Sequence, residues 1–154
     1  MSLVEEYTHL VENHLERLNS LFKQELDDLS NKAFPEEVRF FHFEYESQCF
    51  HNDFSVYMFA MNNQGKAMNN IHLFLQGKAV VVPKDIYMNE KYDDIDHGST
   101  TFVILESWLI ARWNESVKNV YPAYLAHHDS YFFRNMKDGT TINWDEIIET
   151  HKNG

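Results

Sequence analysis

A chain of 154 residues is the size of one domain, and 44 % hydrophobic with 15 % aromatic residues is ample for one core. The formal net charge of −11 repels phosphate, which argues against direct binding of nucleic acid or of an anionic membrane, and favours a basic protein partner. Cys49 is the only cysteine, so no intramolecular disulfide can form, as suits a reducing cytoplasm. No signal peptide is evident, and the longest apolar runs, such as 102–105 and 108–111, fall far short of a bilayer span. A soluble, cytoplasmic protein is the expectation.

Residues 2–29 are predicted to form one long helix. Ser2 and Glu5 have capping-box spacing, each side chain able to satisfy an orphan backbone donor. Tyr7, Leu10, Val11, Leu15, Leu18, Phe22, Leu26 and Leu29 then recur at three- and four-residue intervals, which makes one buried stripe. His14 lies on that stripe and reads as a packing residue. Pro35 lacks the donor needed to continue a helix, so the helix ends within 31–35.

Two aromatic and β-branched segments follow, 38–46 and 54–61, joined by a polar stretch. Both are apolar at nearly every position, so at least one is covered on both faces. A sheet-mediated homodimer is an option for the same reason. Asn62 to Gly65 is a strong turn signal, and 71–82 reads as a second hairpin around Gly77. Gln-Gly-Lys-Ala occurs at 64–67 and again at 76–79. Neither copy has the longer Gly-rich stretch and following Ser or Thr of a phosphate loop, so both read as hairpin turns. His42 and His72 fall in strands and are read as packing at the sheet surface. Cys49 and His51 would share a face of an extended segment, but nothing near them marks an activated thiol.

Residues 83–99 hold two bases and five acids and are the least regular stretch. Glu90, Tyr92, Asp93, Asp94 and Asp96 are the candidate partner-binding residues here, the acids for steering and the ring for contact area. A second helix is predicted from Ser99 to about Val117, apolar around much of its girth, with a short strand over 102–105 as the alternative. An irregular segment follows. Asp138 to Thr141 reads as a turn, and 143–151 as a short helix capped by Asn143 with Glu146 at capping-box distance.

Within the aromatic stretch 121–133 lie His127, His128 and Asp129, which with His97 form a candidate metal set. Neighbouring side chains diverge on any regular element, so a metal would need ligands from elsewhere, with Asp96, His97 or His42 available. The competing reading is the polar end of a packed segment, with Asp129 accepting backbone donors near Tyr131. That reading is preferred, and no cofactor motif is present.

The fold expected is α+β: an antiparallel sheet of about four strands, in two hairpins, packed against a long N-terminal helix and a buried helix in the C-terminal half. The aromatic residues exceed what a small core can hide, so some must reach the surface or line a cavity. The function expected is that of a small acidic cytosolic protein-binding domain docking on a basic partner. Immunity or inhibitor proteins and acidic secretion chaperones are alike in size, charge and lack of motifs. The alternative is an enzyme, or a small-ligand or metal-binding protein, with a pocket centred on His127, His128 and Asp129.

Overall fold

The computed structural model describes residues 1–45, 56–68, 71–75, 84–116, 121–128 and 130–154, the side chains of Lys84, Tyr87 and His97 excepted. At the start of α1 (Leu3–Glu16) the Ser2 hydroxyl accepts from the Glu5 N–H at 3.1 Å, and the Glu5 carboxylate accepts from the Ser2 N–H at 3.3 Å. The capping box is therefore present. The one long helix is corrected to two, α1 and α2 (Asn19–Ser30). At the break the Leu18 N–H donates to Leu15 O at 2.9 Å, and the Arg17 guanidinium folds back on His14 O at 3.0 Å. Asn and Ser, which open α2, compete with helical backbone bonds and favour helix ends. Asn19 is also engaged there, its Oδ1 accepting the Trp108 indole N–H at 2.6 Å. The apolar stripe passes the break without interruption, from Tyr7 to Leu29, all of it buried except the half-buried Leu10. Periodicity alone does not reveal such a break.

The sheet is the larger correction. Among the described residues it has six strands, not about four: β1 (Phe40–Tyr45), β2 (Val56–Met61), β3 (His72–Phe74), β4 (Ala123–His127), β5 (Phe132–Asn135) and β6 (Thr141–Asn143). Their order is β3-β2-β1-β4-β5-β6. The sheet is mixed, because β1 and β4 run parallel, with Phe41 beside Ala123 and Tyr45 beside His127. The other pairs are antiparallel. The segment read as irregular supplies β4 and β5. β1 is bonded on both edges and β2 lies between β1 and β3, so neither offers a free edge to a second copy.

After β2 the chain turns tightly: Asn62 Oδ1 accepts from the N–H groups of Gln64 and Lys66, each at 2.9 Å, and Gly65 has φ 74°. The second Gln-Gly-Lys-Ala copy, the far half of its hairpin, Cys49, His51 and Asp129 lie outside the described residues.

α1, α2 and α4 (His97–Glu115) pack on one face of the sheet, where Phe41, Phe43, Tyr45 and Leu125 meet Leu105, Leu109 and Trp113. Residues 102–105 are helical, and Asp96 caps the helix by accepting the Ser99 N–H at 3.2 Å. Phe22 of α2 stacks on Trp108 at 5.2 Å and meets Phe74 edge-on at 5.6 Å. α3 (Lys84–Tyr87) and a 3-10 turn at Glu90–Tyr92 lead into α4. α5 (Trp144–His151) has the Asn143–Glu146 capping box and covers the other face, where Ile147 meets Phe40, Tyr124, Ala126 and Phe133. β1 is therefore covered on both faces. No described helix is long and apolar enough to cross a membrane.

Candidate functional site

β1 and β4 run side by side, and the chain continues from them in opposite directions, to β2 on one side and β5 on the other. In open parallel sheets the carboxyl ends of such a diverging pair are where ligands most often bind. Tyr45 and His127 close this end on the helical face. The Tyr45 hydroxyl donates to Glu106 Oε2 at 2.7 Å, and Arg134 Nε donates to Glu106 Oε1 at 3.3 Å. The His127 ring lies 4.9 Å from Phe102 and 5.4 Å from Tyr45, and its Nε2 is buried without a hydrogen-bond partner among the described residues.

His128 turns to the opposite face, with Nδ1 2.7 Å from Glu44 Oε1. The paired histidines thus diverge, as alternation along a strand requires. His42 is on the His128 side, among Phe59, Phe133 and Trp144, and does not approach His127. Asp129 and the His97 side chain are outside the described residues. Among the described residues no three His, Cys, Asp or Glu side chains gather closely enough to hold a metal ion.

The acidic segment divides. Glu90, Asp93 and Asp94 are exposed, while Asp96 is exposed but serves as the cap of α4. Tyr92 is buried, its ring 5.6 Å from Tyr7 and its hydroxyl donating to Glu6 Oε1 at 2.9 Å. Lys91 Nζ meets the same oxygen at 2.6 Å, and the bonds from Lys91 and Tyr92 hold the Glu6 carboxyl below its usual range. Tyr92 belongs to the core, so it is not the surface ring expected beside these acids.

Rings and acids do meet elsewhere. Among the described side chains the exposed aromatics are Tyr131, 46 % exposed, and Phe132, 62 % exposed. Phe132 pairs with Asn143, the cap of α5, and this register sets both rings beside the first turn of that helix. The Tyr131 hydroxyl donates to Asp145 Oδ2 at 2.6 Å, and Glu146 and Glu149 are exposed on the same helix. Ser130 Oγ donates to Phe132 O at 2.9 Å and accepts the Phe132 N–H at 3.1 Å, which fixes the approach to β5. A groove of about 450 Å³ runs alongside, lined by His42, Met61, Ser130, Tyr131, Phe133 and Trp144. No protein-family model, curated protein or solved structure matches the chain. Its chemistry has to be read from these side chains.

His42 forms part of the groove wall, 4.9 Å from Phe133 and 6.3 Å from Trp144 between ring centroids. No described group hydrogen-bonds to its imidazole. Burial pushes its pKa down to about 4, against a smaller opposing pull from Glu44, so the ring is neutral at pH 7. Tyr131, Phe132 and His42 were visible in the sequence as part of an aromatic surplus and a strand histidine. What joins them to Asp145 is the β5–β6 register, and a one-dimensional pattern gave no signal for that.

Proposed function

We propose that the protein is a small protein-binding domain of the immunity or inhibitor type, which docks on a basic protein partner through the face bearing Tyr131, Phe132 and the first turn of α5. The observation that carries this reading is the exposure of two adjacent rings beside Asp145 and Glu146 in a chain of net charge −11. Exposed aromatics supply contact area at small entropic cost, and surrounding acids raise the rate of encounter with a cation-rich surface. The acidic turn at Glu90, Asp93 and Asp94 adds to the steering field. A homodimer paired through β1 and β2 has less support, because both strands are bonded on each side. A catalytic or metal centre at His127 and His128 also has less support, because the two rings occupy opposite faces.

The test is affinity capture from lysate of the native cell, with wild type and Phe132→Ala as parallel baits. Wild type retains a basic protein at low salt and releases it at high salt, while Phe132→Ala retains at least about tenfold less of the same protein. Equal retention by the two baits, or capture of no basic protein, overturns the proposal.

A further inference from the structure

The groove beside Phe132 has an unusual complement of groups. Four of its six lining side chains are rings, Tyr131, Phe133, Trp144 and the imidazole of His42, the others being Met61 and Ser130. Phe133, 5 % exposed, packs against Trp144 with ring centroids 5.6 Å apart and planes 31° from parallel, and so backs the Trp144 ring. Its volume of about 450 Å³ is within the range of sites that take a side chain or small ligand. Asp145 does not line the groove itself but stands one hydrogen bond behind it: one carboxylate oxygen takes the hydroxyl of Tyr131, and no described group donates to the other. The His42 ring makes no hydrogen bond to any described group, and the Ser130 hydroxyl is already committed to the Phe132 backbone at 2.9 and 3.1 Å.

The groove therefore offers aromatic side chains and an imidazole nitrogen, with the Asp145 carboxylate next to it behind Tyr131, and no cationic group lines it. A fitting occupant is flat, cationic and rich in N–H donors. A guanidinium meets all three conditions: it stacks on aromatic faces, is more weakly hydrated than an ammonium, and presents donors in a planar fork. An ammonium satisfies the charge but has no plane to stack. An aliphatic side chain satisfies the walls but leaves the carboxylate and imidazole unpaired. We infer that this groove is the seat of an arginine side chain of the basic partner, stacked on Trp144 and bonded to Asp145. This rests on the docking reading above and names the anchor it uses.

The measurement is a titration of the ¹⁵N-labelled chain, followed by NMR, with N-acetyl-arginine amide, N-acetyl-lysine amide and N-acetyl-norleucine amide. The arginine derivative is expected to shift the Trp144 indole N–H and the amides of Tyr131 and Phe133 saturably. The lysine derivative binds at least about threefold more weakly, as the loss of stacking implies, and the norleucine derivative leaves the spectrum unchanged. Asp145→Asn, with its spectrum otherwise preserved, weakens the arginine response at least about threefold. The inference is overturned by no saturable shift, by shifts that map away from the groove, or by an equal response to norleucine. Phe132 does not line the groove, so Phe132→Ala leaves arginine affinity unchanged. Failure of that variant to alter whole-protein capture condemns the docking reading and with it the partner, leaving only a guanidinium site, whereas failure of the arginine titration condemns the groove alone.

Discussion

Tyr131, at the entry to β5, gives its hydroxyl proton to Asp145 in the first turn of α5 at 2.6 Å. This bond fixes an exposed ring against an acid, and Phe132 follows it with its own ring turned outward while Phe133 turns in. The alternation predicts opposite outcomes for two neighbouring substitutions. Phe132→Ala changes stability by no more than about 0.5 kcal/mol, because little area returns to water on unfolding. Phe133→Ala, in the core under α5, costs about 3–5 kcal/mol. Urea unfolding of the two variants decides the matter, and comparable losses would contradict the assignment of faces.

Two glycines share a left-handed backbone and differ in surroundings. Gly65 has φ 74° and Gly139 φ 75°. A Cβ on Gly65 would lie 2.6 Å from Trp144 Cζ2 and 2.7 Å from Ile148 Cδ1, whereas nothing lies within 4 Å of one on Gly139. Gly139→Ala is expected to cost about 1 kcal/mol for the conformation alone. Gly65→Ala adds a collision with α5, about 1–3 kcal/mol more. The difference in urea midpoint between the variants measures how firmly the β2 turn presses on that helix. Equal midpoints would show that it does not.

What the sequence disclosed was local. Both capping boxes, the Asn62 turn, the Asp138 turn and the helical stripes depend on side chains within a few residues of one another, and each is present. The β1–β4 pairing depends on residues on either side of α4, and no local period encodes it. β6 was hidden by its shortness, since Thr141–Asn143 also serves as the exit from a turn and the entrance to α5. The site suffered most from this limit. The divergence of His127 and His128 follows from strand alternation, but the place of Tyr92 among acids misleads, because adjacency in sequence cannot distinguish a ring against Tyr7 from one in water.

The carboxyl end of the parallel pair is braced by Glu106, which accepts from both Tyr45 and Arg134. The two donors are not equivalent. Tyr45 is 1 % exposed, whereas the Arg134 side chain is 42 % exposed. Tyr45→Phe is expected to cost about 1–2 kcal/mol, because it removes a buried donor from a carboxylate. Exchanging Arg134 for Gln costs under about 1 kcal/mol, as solvent already screens that pair. Thermal denaturation ranks them, and a larger loss at Arg134 would reverse the account of what holds Glu106.

Acid sensitivity centres on His42. Its pKa is about 4 in the folded chain because burial disfavours the imidazolium, and it returns to about 6.5 on unfolding. Between these values the unfolded chain binds the extra proton, so stability is complete above about pH 6.5 and declines as pH falls towards 4. The decline attributable to this ring amounts to about 3 kcal/mol. His72 and His151, also lowered by burial, act in the same direction. Glu25 opposes them, since burial raises its pKa and favours its protonation in the folded state. His42→Gln removes the titrating group, so its urea midpoint should vary much less than that of wild type between pH 7 and pH 4.5. Parallel profiles for the two proteins would mean that His42 is not the buried neutral base described, and the groove would lose the open imidazole nitrogen offered to a guanidinium.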